Sequence, residues 1–454
     1  MSRVSYLPNL ERLFITSPIK DISAFADLTR LTRLHQFSLF NSLDDTGFLS
    51  FELASYAGQL RHLTRLNCTL ESLDPDLVPL EYCCSNVLTK IPRLQHLICS
   101  PISNNILECA AECPNLLALA CYDGDDPLEN EQIRVPTYAK LTQLKFINTY
   151  RKFNMGEISA ITSLISLELH EADSVDDWSC LGLLTNLNEL VISIRRIDVR
   201  PRLFSYLSTL QRSLTSLGIN AVGSQSELES IISLTNLQSL SLNYYRSNAV
   251  TPFTALLKLK HFTVITSWNV LSSDFEHFTQ LETFHVNANN LATQDVRWIS
   301  RMTNLNRLNL TSASLEDKWI APLTKLTKLN VYAPYATKME EQRLINTICG
   351  SLTRLEILHL VDFSHLGAST IDPLTTLSHL RMLTICTKRL KNPMHLMSLT
   401  SLVSLVYFKY RNTDEDADDQ EPPANIDQTL RALRGRSPFA IRYQVAPGND
   451  VRVY

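Results

Sequence analysis

Nowhere in the 454 residues do 18 apolar residues follow one another, so no transmembrane helix is expected. Neither sign of charge is in excess. Lys and Arg number 42 against 46 Asp and Glu, a net charge of −4. No basic stripe runs along the chain, which argues against a nucleic-acid footprint. The opening residues, Met1-Ser2-Arg3-Val4-Ser5-Tyr6, lack the apolar core of a secretory signal, and a cytoplasmic protein is expected. The ten cysteines include no Cys-x-x-Cys pair, which speaks against zinc. No catalytic motif is found, and no cofactor or metal is expected.

What the chain does hold is a repeat. Leu234-Thr-Asn-Leu-Gln-Ser-Leu-Ser-Leu242 has the skeleton Leu-Thr-x-Leu-x-x-Leu-x-Leu, which returns at Leu184–Ile192, Met302–Leu310, Leu323–Val331 and Leu352–Leu360. Its second leucine falls at Leu10, Leu34, Leu63, Leu94, Leu116, Leu144, Leu164, Leu187, Leu214, Leu237, Leu259, Leu281, Leu305, Leu326, Leu355, Leu380 and Leu402, seventeen copies spaced 20 to 31 residues apart. A unit this short cannot bury its own apolar face, so it must stack on its neighbours as a solenoid. The Leu-x-Leu part alternates with period two and reads as a short strand with both leucines inward.

On these residues the chain resembles leucine-rich repeat proteins. Asp21-Ile22-Ser23-Ala24-Phe25, Asp177-Trp178-Ser179-Cys180-Leu181 and Ile371-Asp372-Pro373-Leu374 are loosely similar to the short repeats of phosphatase-regulating proteins and bacterial internalins. The resemblance implies an α/β solenoid, a curved horseshoe with a parallel concave sheet and short helices or turns on the convex side. That family places an asparagine after the strand to satisfy turn amides. Here the slot holds Asn only at Asn289, and Pro18, Ser42, Glu71, Arg195, Tyr245, Ala313 or Phe363 elsewhere. Buried turn amides still need partners, so backbone or water bonds are expected there.

The solenoid is expected to run over residues 1–410. A linker over 411–425 follows, with six acids between Asp414 and Glu421 and then Pro422-Pro423. Residues 426–454 read as a helix-and-strand flap pairing back on the last repeat. Among the connectors, Asp74-Pro75 opens one helix and Ser103 to Cys113 forms another. Ser226 with Glu229 and Thr337 with Glu340 have capping-box spacing, and Gly350 should stop the second of these helices. Trp178, Trp298 and Trp319 are read as core. Cys68, Cys99 and Cys121 should stack as a buried column of small apolar residues. The acidic stretch 123–131 and the arginines of 195–202 are read as solvated loops.

Strand periodicity also names the outward row. It is rich in Asn, Ser, Thr and His and poor in charge, and apolar members such as Ile357, Val361, Met382, Val406 and Phe408 gather near its C-terminal end. Solenoids meet partners on such sheets, and amides and aromatics make good contacts. The expected site is therefore a patch of Asn243, His285, Asn287, Asn309, Asn330 and Tyr332 that binds another protein. An adaptor or regulatory subunit is expected, non-enzymatic and monomeric, with no nucleic acid and no membrane as partner. Two alternatives stand beside it. One is a scaffold that self-associates through an uncapped N-terminal edge. The other is a hydrolase around Glu168 and His170, with Tyr150 and Ser193 in flanking rows.

Overall fold

A computed structural model of the chain describes residues 9–15, 28–42, 60–71, 88–100, 102–122, 132–147, 153–170, 177–194, 200–220, 224–243, 253–266, 277–288, 297–311, 317–333, 336–363, 372–387, 401–410 and 440–446, with single positions 7, 172, 175, 222, 275, 366 and 399. The described residues fall into two compact units, Met1–Asn220 and Ala221–Tyr454.

The first unit contains β1 (Arg12–Ile15), β2 (Gln36–Ser42), β3 (Arg65–Glu71), β4 (His96–Ser100), β5 (Ala118–Tyr122), β6 (Gln143–Ile147), β7 (Ser166–Leu169), β8 (Glu189–Ile192) and β9 (Ser216–Asn220). Each strand pairs in parallel with the next. The second unit repeats the plan with β10 (Ser239–Asn243), β11 (His261–Thr266), β12 (Thr283–Ala288), β13 (Arg307–Thr311), β14 (Lys328–Tyr332), β15 (Ile357–Val361), β16 (Met382–Thr387), β17 (Ser404–Tyr410) and β18 (Ala440–Ala446). These too are parallel, each to the next. One strand per repeat, always parallel, with the repeat's leucines inward, is the leucine-rich repeat solenoid. The last strand, β18, lies where the sequence places the flap, in parallel register with β17 from Ser404↔Ala440 to Tyr410↔Ala446.

The inward rows are dry. Leu167, Leu190, Leu237, Leu329 and Leu358 are fully buried, each contributing on the order of 2 kcal/mol. One repeat is phased differently from the sequence reading. Thr142 N donates to Leu117 O as Ile165 N does to Thr142 O, so Leu141, not Leu144, is the counterpart of Leu116 and Leu164. Leu144 is instead an inward strand residue, paired with Leu119 and Leu167. Tyr138 takes the place of the first leucine of that repeat. It is 4% exposed, and its hydroxyl donates to Leu107 O at 3.1 Å.

The connectors carry short helices. They are α1 (Asn104–Ala111), α2 (Met155–Ser159), α3 (Arg200–Leu207), α4 (Gln225–Ile232) and α5 (Lys338–Ser351). Ser103 caps α1 through Ile106 N at 3.3 Å, within the span read as a helix. The capping box of α5 is Thr337 with Glu340, as the spacing predicts. That of α4 is Ser224 with Glu227 rather than Ser226 with Glu229. Both pairs have the same spacing, but Ser224 is the extended residue at φ −126°, as a cap must be. Gly350 does not stop α5, which continues to Ser351 and is capped at Leu352. The helix expected after Asp74-Pro75, the stretches 123–131 and 411–439, and the side chains of Arg195, Arg196, Arg200 and Arg202 lie outside what the structure describes.

Trp178, Trp298 and Trp319 are core residues, 0%, 6% and 2% exposed. Cys68, Cys99 and Cys121 share one register row, and the buried Cys99 and Cys121 sulfurs approach to 3.4 Å. The hydrogen bond to Cys121 and burial push the Cys99 thiol well above its ordinary value, so Cys99 stays a protonated, unreactive thiol.

Backbone bonds close several turns that lack the family's asparagine. Ala172 N donates to Ser193 O at 2.9 Å and Ala333 N to Val361 O at 3.0 Å. Asp362 N reaches Cys386 O at 2.8 Å, with Asp362 at φ 62°, a conformation Asp tolerates better than most residues. A different set of asparagines ties repeats together ahead of the strands. Asn115, Asn186 and Asn304 donate to Pro92, Thr162 and Thr279 carbonyls at 3.0, 3.0 and 3.1 Å. Lys140 and Lys325 of the following repeats donate to Asn115 and Asn304 at 3.0 and 2.7 Å.

Candidate interaction face

In the second unit the strand alternation leaves every other side chain pointing away from the core. Leu240 and Leu242 point inward on β10, Phe284 and Val286 on β12, and Leu308 and Leu310 on β13, each at most 1% exposed. The residues between them form rows across the strands, because the register holds the same phase from strand to strand.

One row runs Ser241↔Thr263↔His285↔Asn309↔Asn330↔His359↔Thr384. The next runs Asn243↔Ile265↔Asn287↔Thr311↔Tyr332↔Val361. His285, Asn309 and Asn330 therefore stand side by side on consecutive strands. Asn287 and Tyr332 lie in the neighbouring row with Thr311 between them. Asn243 is in that same row but two strands from Asn287, with Ile265 intervening. Thr263 and Thr384 extend the polar row and escaped the sequence reading, although the same period-two count locates them. Tyr332 is already engaged in an interaction within the chain.

The electrostatics keep the row neutral. Burial lowers His285 below the ordinary imidazole range. Burial and, after it, the nearby Lys328 ammonium lower His359 to about 4. Both rings are uncharged at neutral pH. Asn243 Oδ1, Asn330 Oδ1 and His359 Nδ1 are buried and accept or donate no hydrogen bond. The apolar end of the face is less open than its sequence suggests, since Val361 is 4% and Cys386 0% exposed.

The first unit holds the other sequence candidates. His170 Nε2 donates to Glu168 Oε1 at 2.6 Å, and Lys145 Nζ lies 2.7 Å from Glu168 Oε2. Lys145 pairs with Glu168 in register across β6 and β7. Burial raises the Glu168 carboxyl, but the hydrogen bonds from His170 and Lys145 outweigh it and hold it below the usual carboxylate range. Both carboxylate oxygens are thus committed to basic groups. Tyr150 lies outside the described residues, and the nearby Ser166 hydroxyl donates to Glu189 at 2.9 Å.

A cleft of about 470 Å³ in the same unit is bounded by Glu108, Arg134, Asn154 and Glu157, among others. Two of its polar groups are engaged: Glu157 accepts from Val135 N at 2.7 Å and Asn154 from Gly156 N at 2.8 Å. Among the described residues no group of three His, Cys, Asp or Glu side chains could hold a metal ion. Among the same residues no helix is long and apolar enough to cross a membrane.

Fold and face together are those of a leucine-rich repeat protein with an outward parallel sheet. No family model and no curated protein matches the chain. Among solved structures it is similar to an internalin (InlF) of Listeria monocytogenes at 18% identity, over 88% of this chain and 87% of that one, with a TM-score of 0.38. A leucine-rich repeat protein of Leptospira interrogans is 14% identical over 97% of this chain and 98% of its own, with a TM-score of 0.41. The repeat assignment rests on the strands and register of this chain itself.

Proposed function

We propose that the chain is a non-enzymatic protein-recognition module, an adaptor or a regulatory subunit, which takes its partner on the outward sheet face of the second unit. The observation that carries this reading is the side-by-side placement of His285, Asn309 and Asn330, flanked by Asn287 and Tyr332. Neutral amides and imidazoles in a contiguous row give contact area and hydrogen bonds at low desolvation cost. The Glu168–His170 pair does not favour a hydrolase, because the carboxylate is split between His170 and Lys145. Seven described cysteines stand as free thiols, which supports a reducing, cytoplasmic compartment.

The triple variant His285→Glu, Asn309→Glu, Tyr332→Glu tests the reading. Immobilised wild-type chain should retain a partner from a cell extract, identified by mass spectrometry. The variant should lose it while keeping its circular dichroism and melting temperature. Undiminished capture by a folded variant would show that this face is not the site.

A further inference from the structure

We infer that the row Ser241, Thr263, His285, Asn309 and Asn330 cradles the main chain of an extended acidic peptide supplied by the partner protein. The inference rests on the proposed role of this face and specifies what lies on it.

The first argument is chemical match. An amide side chain offers one donor side and one acceptor side, as does each peptide unit. Hydroxyls and neutral imidazoles do the same. Five consecutive strands carry such a group at one register position. At a strand spacing of ~4.8 Å they span about 19 Å, the length of about six extended residues. A row of this kind reads backbone, which every sequence has.

The second argument is the set of orphaned atoms. Asn330 Oδ1 and His359 Nδ1 are register neighbours, both buried and unpaired, and His359 is only 6% exposed. Buried polar groups without partners are unfavourable. A peptide laid along the row brings N–H and C=O groups to that end of it.

Charge selects among peptides. Arg307 and Lys328 are neighbours in the flanking row of the same face. Neither forms an ion pair among the described residues. The described outward positions of β10–β14 hold no Asp or Glu. Glu282, just ahead of β12, is taken by Lys260 at 3.1 Å. Carboxylates on the incoming chain would complement the two cations.

The full-length chain is titrated against fluorescein-labelled peptides of about eight residues, alternating Glu with Thr, Gln with Thr, or Lys with Thr. Threonine favours extended backbone. A fourth peptide repeats the Glu–Thr sequence with alternate amides N-methylated. Fluorescence anisotropy should rank the Glu–Thr peptide first, with the Lys–Thr and N-methylated peptides weaker by about tenfold or more, a loss of one to two hydrogen bonds or charge contacts. Asn309→Ala with Asn330→Ala should weaken the Glu–Thr peptide by a similar factor. Arg307→Ala with Lys328→Ala should bring the Glu–Thr and Gln–Thr affinities together. Should the Asn309→Ala, Asn330→Ala variant fail to fold by circular dichroism, Asn309→Ser with Asn330→Ser replaces it and should weaken the Glu–Thr peptide in the same direction. Equal binding of the N-methylated peptide, or indifference to the folded row variants, overturns the inference. If no peptide binds while whole-protein capture still depends on the triple glutamate variant, the peptide inference falls and the assignment of the face survives.

Discussion

The two units share a backbone plan and differ in what they place on its outward side. In the first unit the central row reads Ser38, Asn67, Ile98, Ala120, Lys145, Glu168, Val191 and Gly218. Its charges close on one another through Lys145, Glu168 and His170, and Gly218 leaves so little room that an added Cβ would meet the Val191 methyls at 3.2 Å. In the second unit the corresponding row is hydrogen-bonding and neutral, and part of it has no partner. A self-satisfied row has little to gain from a ligand, whereas an unsatisfied one does. The inward sides differ as well. The second unit gathers Phe253, Phe262, Phe275, Phe278, Phe284 and Trp298 into one cluster, with Phe275 and Trp298 centroids 5.1 Å apart and Phe262 and Phe275 5.6 Å apart. In the first unit Phe146 and Phe153 lie 5.9 Å apart.

Removing the centre of that cluster is the strongest way to break the contrast. Phe262→Ala should cost about 3–5 kcal/mol, read by urea denaturation with tryptophan fluorescence, because the five remaining rings leave a cavity that the fixed sheet cannot fill. Next comes acid. The folded-state value of His359 is about 4, below the ordinary 6.5, so the unfolded chain takes up the proton first. Stability from this residue is full above pH 6.5, falls as pH drops, and levels off near pH 4, a loss of about 3 kcal/mol. His359→Asn should flatten the difference between denaturation curves at pH 7 and pH 4.5. Glu168 in the first unit works at lower pH. Its carboxyl is held down, so its contribution is present above the usual carboxylate range and disappears as pH falls through the folded value. Glu168→Gln should cost only about 1 kcal/mol at pH 7, since Lys145 and Glu168 are 34% and 24% exposed and solvent screens the pair. Equal acid sensitivity of wild type and His359→Asn would remove the electrostatic side of the comparison.

Most of the strands could be read from the leucines, because period-two burial is written into each repeat by itself. The sixth repeat was misphased where Tyr138 stands for leucine, since the residue fills the same buried slot with a different side chain. The outward rows were legible for the same reason as the strands, and they gave His285, Asn309 and Asn330 correctly as members of one face. The order of the repeats also puts Asn243 two strands from Asn287, whereas the pairing of Lys145 with Glu168 is hidden by the misphased sixth repeat and comes from the register. Burial on the outward side also escaped. Val361 looks exposed by alternation, yet it is 4% exposed. The missing asparagine after the strand is legible in the sequence, but the ties that Asn115, Asn186 and Asn304 make ahead of the strands appear only in the hydrogen bonds.

The constant phase between successive strands sets two rulers against each other. Rungs on the sheet recur every ~4.8 Å and residues of an extended chain every ~3.4 Å, so two rungs nearly equal three residues. A ligand lying across the strands would meet the face as on a vernier scale, coming into step once every three positions and drifting between. Lengthening the array by one repeat would add a rung without disturbing the earlier coincidences, so reach could grow while the pattern of preferred positions stayed the same.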